Sequence, residues 1–178
     1  KYYSYRNFLE VEKHNDTHDL GAVNGLKKSE KNLASALKII PDGTQTFSKS
    51  YKSHCYGVSP YFLDRGKGPY IWDVDNNCYL DYLAALLPVL LGYCDDDVNE
   101  AIKAQLAKGI SFSLATELEI ELAEKLIKLI PSAEMVKFGK NGSDVTSAAI
   151  RLARAHTGRN NVAICGYHGW HDWYIGTT

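Results

Sequence analysis

The rhythm of apolar and polar positions changes several times along this chain, and each change predicts a different kind of element. The first 35 or so residues are polar and irregular, with His14 and His18 among several Lys and Asn, and read as a solvated lead-in. Within its end, residues 29–39 form a helical run that Pro41 would stop. From Ser59 to Tyr82 the pattern shortens. Residues 61–65 and 70–74 read as strands separated by a turn at 66–69, and a second turn at 75–77 leads into a strand at 78–82. This is a small antiparallel meander, and so few strands need cover on one face, which the apolar run 83–91 is expected to help provide.

Helical spacing returns after Gly92. Asp95, Asp96 and Asp97 are cap candidates for a helix through Val98, Ile102 and Leu106 that Gly109 stops. Thr116 and Glu119 fit a capping box, and Leu118, Leu122, Leu126 and Leu129 follow at core spacing before Pro131. Glu117, Glu119, Glu121 and Glu124 read as a solvated face rather than as paired catalytic carboxylates.

Beyond Pro131 comes a short apolar run at 135–138, a glycine-bearing turn, and an alanine-rich helix from about 143 to 156 that ends at Thr157 and Gly158. A second buried-type run follows at 161–165. Strand, helix and strand in this order predict a right-handed βαβ unit with a parallel pair, the alanines letting the helix pack close to the sheet. Ligands of such sheets sit beyond the C-terminal strand ends, where Asn141, Gly142 and Ser143 and the stretch 166–172 would both lie. Unpaired N–H groups and the helix dipole favour an anion at that turn, although most glycine-bearing turns hold no ligand. The loop Gly166-Tyr-His-Gly-Trp-His-Asp-Trp173 could stack an aromatic ring on a planar cofactor, or merely close the edge of a core. His168 and His171 as a metal pair lack a third ligand and a helical frame.

Composition narrows the class. The 178 residues are 45% hydrophobic and 23% charged, as in a globular domain. A net charge of −1 without a basic block argues against a nucleic-acid partner. The longest apolar stretch is interrupted by Pro88 and is too short to span a bilayer, so no membrane is expected. No signal-peptide pattern stands out, and four scattered cysteines without a CxxC fit a reducing, cytoplasmic setting.

Several motifs in one order carry a resemblance. They are Ser59-Pro-Tyr-Phe-Leu-Asp-Arg-Gly-Lys-Gly-Pro-Tyr-Ile-Trp-Asp-Val-Asp75, Thr116-Glu-Leu-Glu119, Glu134-Met-Val-Lys-Phe138, Asn141-Gly-Ser-Asp144, Arg151-Leu-Ala-Arg-Ala155 and Tyr167-His-Gly169. Over residues 37–178 the chain resembles class III aminotransferases that use pyridoxal 5′-phosphate (PLP), most of all the glutamate-1-semialdehyde aminomutase-like branch. The resemblance implies an α/β chain: the N-terminal part of a PLP-transferase (aspartate-aminotransferase-like) fold, with a small antiparallel segment and the first βαβ of a large parallel-sheet domain. It implies a lead-in at 1–36, a small-domain segment at 37–92 and the start of the PLP-binding domain at 93–178.

By the same resemblance, Asn141, Gly142 and Ser143 correspond to the family's phosphate-holding turn. Tyr167 corresponds to the ring that stacks on the pyridine, with His168 and Gly169 completing the signature. A homodimer acting on a small amino substrate is implied, with the 111–116 region near an active site. The Schiff-base lysine and the aspartate facing the pyridine nitrogen are expected beyond Thr178, so the chain should hold no catalytic residue and be inert alone, as a fragment. The aminomutase branch's Ser-Trp-Gly-Pro stretch is replaced by Ala85-Leu86-Leu87-Pro88, which argues for a substrate other than glutamate-1-semialdehyde. Two alternatives are a non-catalytic scaffold or dimerisation module, and a PLP-dependent racemase or decarboxylase of related fold.

Overall fold

A computed structural model of the chain describes residues 24–175. The expectations for His14 and His18, and most of the lead-in, lie outside the described residues. Two compact units divide between Ile110 and Ser111.

In the first unit, α1 (Lys27–Ala36) is followed by β1 (Leu63–Lys67), β2 (Tyr70–Asp73), β3 (Cys78–Leu80) and α2 (Asp96–Leu106). Pro41 opens a single 3-10 turn after α1, as a residue that cannot continue a helix does. The three strands form the antiparallel meander in the order β1-β2-β3. Its first turn is tighter than the sequence predicts. Gly66 and Lys67 belong to β1, with Lys67 paired to Tyr70, so the turn is only Gly68-Pro69. Gly66 pairs with Ile71 in the strand and lies close against Tyr93; a Cβ there would stand 2.6 Å from Tyr93 Cγ.

A buried polar knot ties α1 to this sheet. Asp73, 1% exposed, accepts hydrogen bonds from the N–H groups of Asp75 and Asn77, from the Asn77 amide and from the Tyr79 hydroxyl. Burial and the bond to Asp73 push the Tyr79 hydroxyl well above its ordinary pKa. Asn77 donates onward to the Gly25 carbonyl, and its side-chain oxygen accepts from the Asn24 N–H. Leu26 caps α1 without a side-chain bond; the cap comes from Asp75, which accepts from the N–H groups of Lys28 and Ser29 at 2.8 and 2.9 Å. The Ser29 hydroxyl accepts in turn from the Tyr61 and Phe62 N–H groups. α2 begins as expected, Asp95 accepting from the Val98 N–H at 3.0 Å.

The run 83–91 does not cover the sheet. Leu87, Leu90 and Leu91 are 72–85% exposed, and Ala84, Ala85, Leu86 and Leu87 are four consecutive residues at positive φ. The Asp81 carboxylate holds the start of this turn by accepting from the Leu83 and Ala85 N–H groups and from the Tyr93 hydroxyl.

The second unit contains α3 (Glu117–Leu129), α4 (Gly142–Thr157) and a short α5 (Asp172–Ile175). α3 carries the expected capping box between Thr116 and Glu119. Its leucines are not core here: Leu118, Leu122 and Leu129 are exposed and Leu126 is half-buried. The alanines of α4 are exposed as well. Residues 135–138 and 161–165 join no ladder among the described residues, so the expected parallel pair is absent there. A βαβ crossover does not require its two strands to be adjacent, and a strand forms only against a neighbour. Among the described residues neither run pairs with such a neighbour. Among the described residues no helix is long and apolar enough to cross a membrane.

Candidate functional site

α4 starts where its sequence says it should. The Asn141 side chain accepts from the Asp144 N–H at 3.0 Å, and Gly158, at φ 64°, closes the far end by donating to the Arg154 carbonyl. With Asn141 as the cap, the Gly142 and Ser143 N–H groups have no acceptor within the helix, and the dipole adds partial positive charge beside them. A Cβ on Gly142 would meet nothing within 4 Å, so the space at this backbone is left open by the protein around it.

Facing this helix start is the aromatic loop, and its fold is organised by a residue just beyond the stretch singled out in the sequence. Tyr174 is 3% exposed; its hydroxyl donates to the Gly166 carbonyl at 2.5 Å, and the rings of Tyr167, His168 and Trp173 pack edge-on to it at 5.7–5.8 Å. Tyr167 itself stays 73% exposed, with a ring free to meet a ligand.

Helix start and loop together line an open cleft of about 600 Å³. Asn141, Gly142, Ser143, Tyr167 and His168 all lie on its wall, so the structure brings together the five residues singled out from the sequence. His168 is turned from the metal-pair arrangement, with its Nε2 2.6 Å from the Cys165 carbonyl, while His171 Nδ1 lies 2.6 Å from the Ser147 hydroxyl. Among the described residues no group of three metal-ligating side chains converges.

What the sequence reading missed is the set of bonds joining the two walls. The Trp170 N–H donates to Ser143 Oγ at 3.1 Å, and Thr146 Oγ1 donates to the His168 carbonyl at 2.9 Å. Trp173 Nε1 donates to Ser147 Oγ at 2.8 Å. The available signal was the spacing of Ser143, Thr146 and Ser147 at i, i+3 and i+4, which puts three hydroxyls on one helix face. Because Ser143 uses a lone pair for Trp170, its hydroxyl proton remains free to donate into the cleft. Two backbone N–H groups, one hydroxyl, open space at a glycine and an exposed ring make a set suited to an anionic group joined to a flat ring.

Comparison with known proteins identifies a family. Residues 51–178 match the family model described as aminotransferase class-III. The chain is 41% identical over 151 residues to the 3-aminobutyryl-CoA aminotransferase of Cloacimonas acidaminovorans, covering 84% of this chain and 36% of that protein. It is 42% identical over 147 residues to the glutamate-1-semialdehyde 2,1-aminomutase of Chloroflexus aurantiacus, covering 82% of this chain and 33% of that one. Of solved structures, an omega-transaminase from Sphaerobacter thermophilus superposes with a TM-score of 0.74 at 33% identity, covering 82% of this chain and 32% of its own. The FumI protein of Sphingopyxis sp. MTA144, solved in its PLP internal aldimine form, gives 0.75 at 36% identity, covering 80% and 34%. The chain thus has the α/β fold of these proteins and spans about a third of the length of the relatives it matches.

Proposed function

The chain belongs to the class III aminotransferase family, and on that premise we propose that the protein carrying it is a PLP-dependent aminotransferase or aminomutase acting on a small amino, keto or aldehyde substrate. The observation that supports this most is the cleft where the open start of α4 meets the exposed Tyr167 ring. Its residues fit PLP. The Gly142 and Ser143 N–H groups and the Ser143 hydroxyl would hold the phosphate, Asn141 would keep that helix start in shape, and Tyr167 would flank the ring. His168, bonded to the Cys165 carbonyl, would hold the loop bearing Tyr167.

PLP supplies an electron-withdrawing ring that accepts the electrons of a bond broken beside the substrate nitrogen. The residues of this chain anchor and orient it. We assign the reacting lysine to sequence beyond Thr178 and the activity to the longer protein, with the 178 residues inert alone. The segments 1–36, 37–92 and 93–178 are assigned as lead-in, small-domain segment and start of the PLP-binding domain, in a cytoplasmic homodimer. Ala85-Leu86-Leu87-Pro88 offers no indole N–H, which favours a substrate other than glutamate-1-semialdehyde.

The test is made on the longer protein. After incubation with PLP and dialysis it should keep a visible absorption band and transfer amino groups from one of a panel of amine donors. Absence of the band would sink the cofactor assignment. A band with glutamate-1-semialdehyde isomerisation and no transfer would decide for the aminomutase.

A further inference from the structure

Ser147 lies one helical turn inside α4, on the face it shares with Ser143 and Thr146, and does not line the cleft. Its hydroxyl is nonetheless the meeting point of two loop side chains, 2.6 Å from His171 Nδ1 and 2.8 Å from Trp173 Nε1. An indole N–H only donates, so it occupies a lone pair of Ser147 Oγ. The hydroxyl keeps a proton and a second lone pair, so it bonds His171 Nδ1 in either tautomer of the ring. Nε2 faces Asp144 Oδ1 at 3.7 Å, on the first turn of the same helix. The imidazole therefore sits between two residues of α4 and is bonded to Ser147, and the loop cannot slide along the helix without breaking two hydrogen bonds at one oxygen.

We propose that Ser147 is a positioning residue of the cofactor site, holding the aromatic loop through His171 and Trp173 so that the Tyr167 wall keeps its spacing from the start of α4. The proposal rests on the PLP reading above. Ser143 and Thr146 contact the same loop but also line the cleft, so a change at either would mix direct and indirect effects. Ser147 acts only through its partners, and its removal takes away two of the bonds joining the walls while leaving every phosphate-facing group in place.

The experiment uses the longer protein with Ser147→Ala, Ser147→Thr, His171→Asn and His171→Ala. PLP affinity is titrated by absorbance, the circular dichroism of the bound cofactor reports its surroundings, and inorganic phosphate is used as a competitor that needs only the helix start. Ser147→Ala should weaken PLP by about tenfold, the effect of one ordinary hydrogen bond, and reduce the cofactor dichroism. Its inhibition constant for phosphate should stay within about twofold of wild type, since the groups of the helix start are untouched. Ser147→Thr keeps the hydroxyl and should restore PLP affinity, and His171→Asn should retain more than His171→Ala. Equal PLP affinity in wild type and Ser147→Ala overturns the positioning role alone. So does a parallel loss of PLP and phosphate binding with a lower melting temperature, which marks a merely structural residue. A wild-type protein that takes up no PLP overturns the reading beneath it.

Discussion

Gly169 lies against Ser143 so closely that a Cβ on it would stand 2.8 Å from Ser143 Oγ and 3.3 Å from Ser143 Cβ. Its φ of 122° is also one that side-chain-bearing residues rarely adopt. Gly169→Ala should therefore cost about 1–3 kcal/mol in backbone strain alone and push the aromatic loop off α4. Denaturant unfolding and PLP titration of the longer protein should both register it. A variant as stable as wild type would show that this close approach is not maintained.

Gly142 is the opposite case. A Cβ there meets nothing, and its φ is not positive, so Gly142→Ala should leave stability unchanged or raise it by up to about 1 kcal/mol. The methyl group would still occupy space beside the backbone that a phosphate needs. PLP affinity should fall while the melting temperature of the cofactor-free protein holds. If affinity holds too, the phosphate does not sit at this turn.

Ser143→Ala removes the acceptor of the Trp170 N–H and, in the proposed site, a donor for the phosphate. PLP binding should weaken by about 1–3 kcal/mol, the range for a hydrogen bond to a charged group. Equilibrium dialysis against PLP would measure it, and an unchanged constant would remove Ser143 from the site.

In the first unit, Asp75 caps α1 across 46 residues of sequence. Asp75→Ala should destabilise the first unit by about 0.5–2 kcal/mol, as loss of a helix cap does. Hydrogen exchange at the Lys28 and Ser29 amides should rise first. Unchanged protection at those amides would mean that the cap is supplied otherwise.

The Asp81–Tyr93 bond predicts a pH dependence. Burial would raise the Asp81 pKa, but the Tyr93 hydroxyl and the N–H groups of Leu83, Ala85 and Ala84 outweigh it and hold the carboxyl below its ordinary value. A depressed acid stabilises the fold above its unfolded pKa, and that stabilisation is lost as pH falls through the lower folded value. Burial and the same bond push Tyr93 up to about 12. Its contribution is complete below the unfolded value of 10.0 and disappears as pH rises towards 12. Tyr93→Phe should abolish the alkaline loss and raise the Asp81 pKa, read by NMR titration of the carboxyl. An Asp81 titration identical in both proteins would rule the bond out.

Elements encoded by neighbours were legible in the chain itself. The antiparallel meander, the Asp95 and Asn141 caps, the Thr116 capping box and the stop at Gly158 depend on residues within a few positions of one another, and local chemistry alone determines them. The helix start at Asn141 was legible for the same reason, whereas Tyr167 and His168 were singled out by resemblance; the structure brings all five candidates to one cleft. Burial was not legible. Leucine spacing on α3 states which face seeks a partner, but only the tertiary structure decides whether a partner is there, and among the described residues Leu118, Leu122 and Leu129 remain exposed and Leu126 is only half-buried. Strand pairing at 135–138 and 161–165 failed on the same ground, because a ladder belongs to two segments and neither run meets its second. Contacts between residues far apart in sequence were likewise decided only in three dimensions: Asp75 at the start of α1, Gly169 against Ser143, and His171 and Trp173 on the hydroxyl of Ser147.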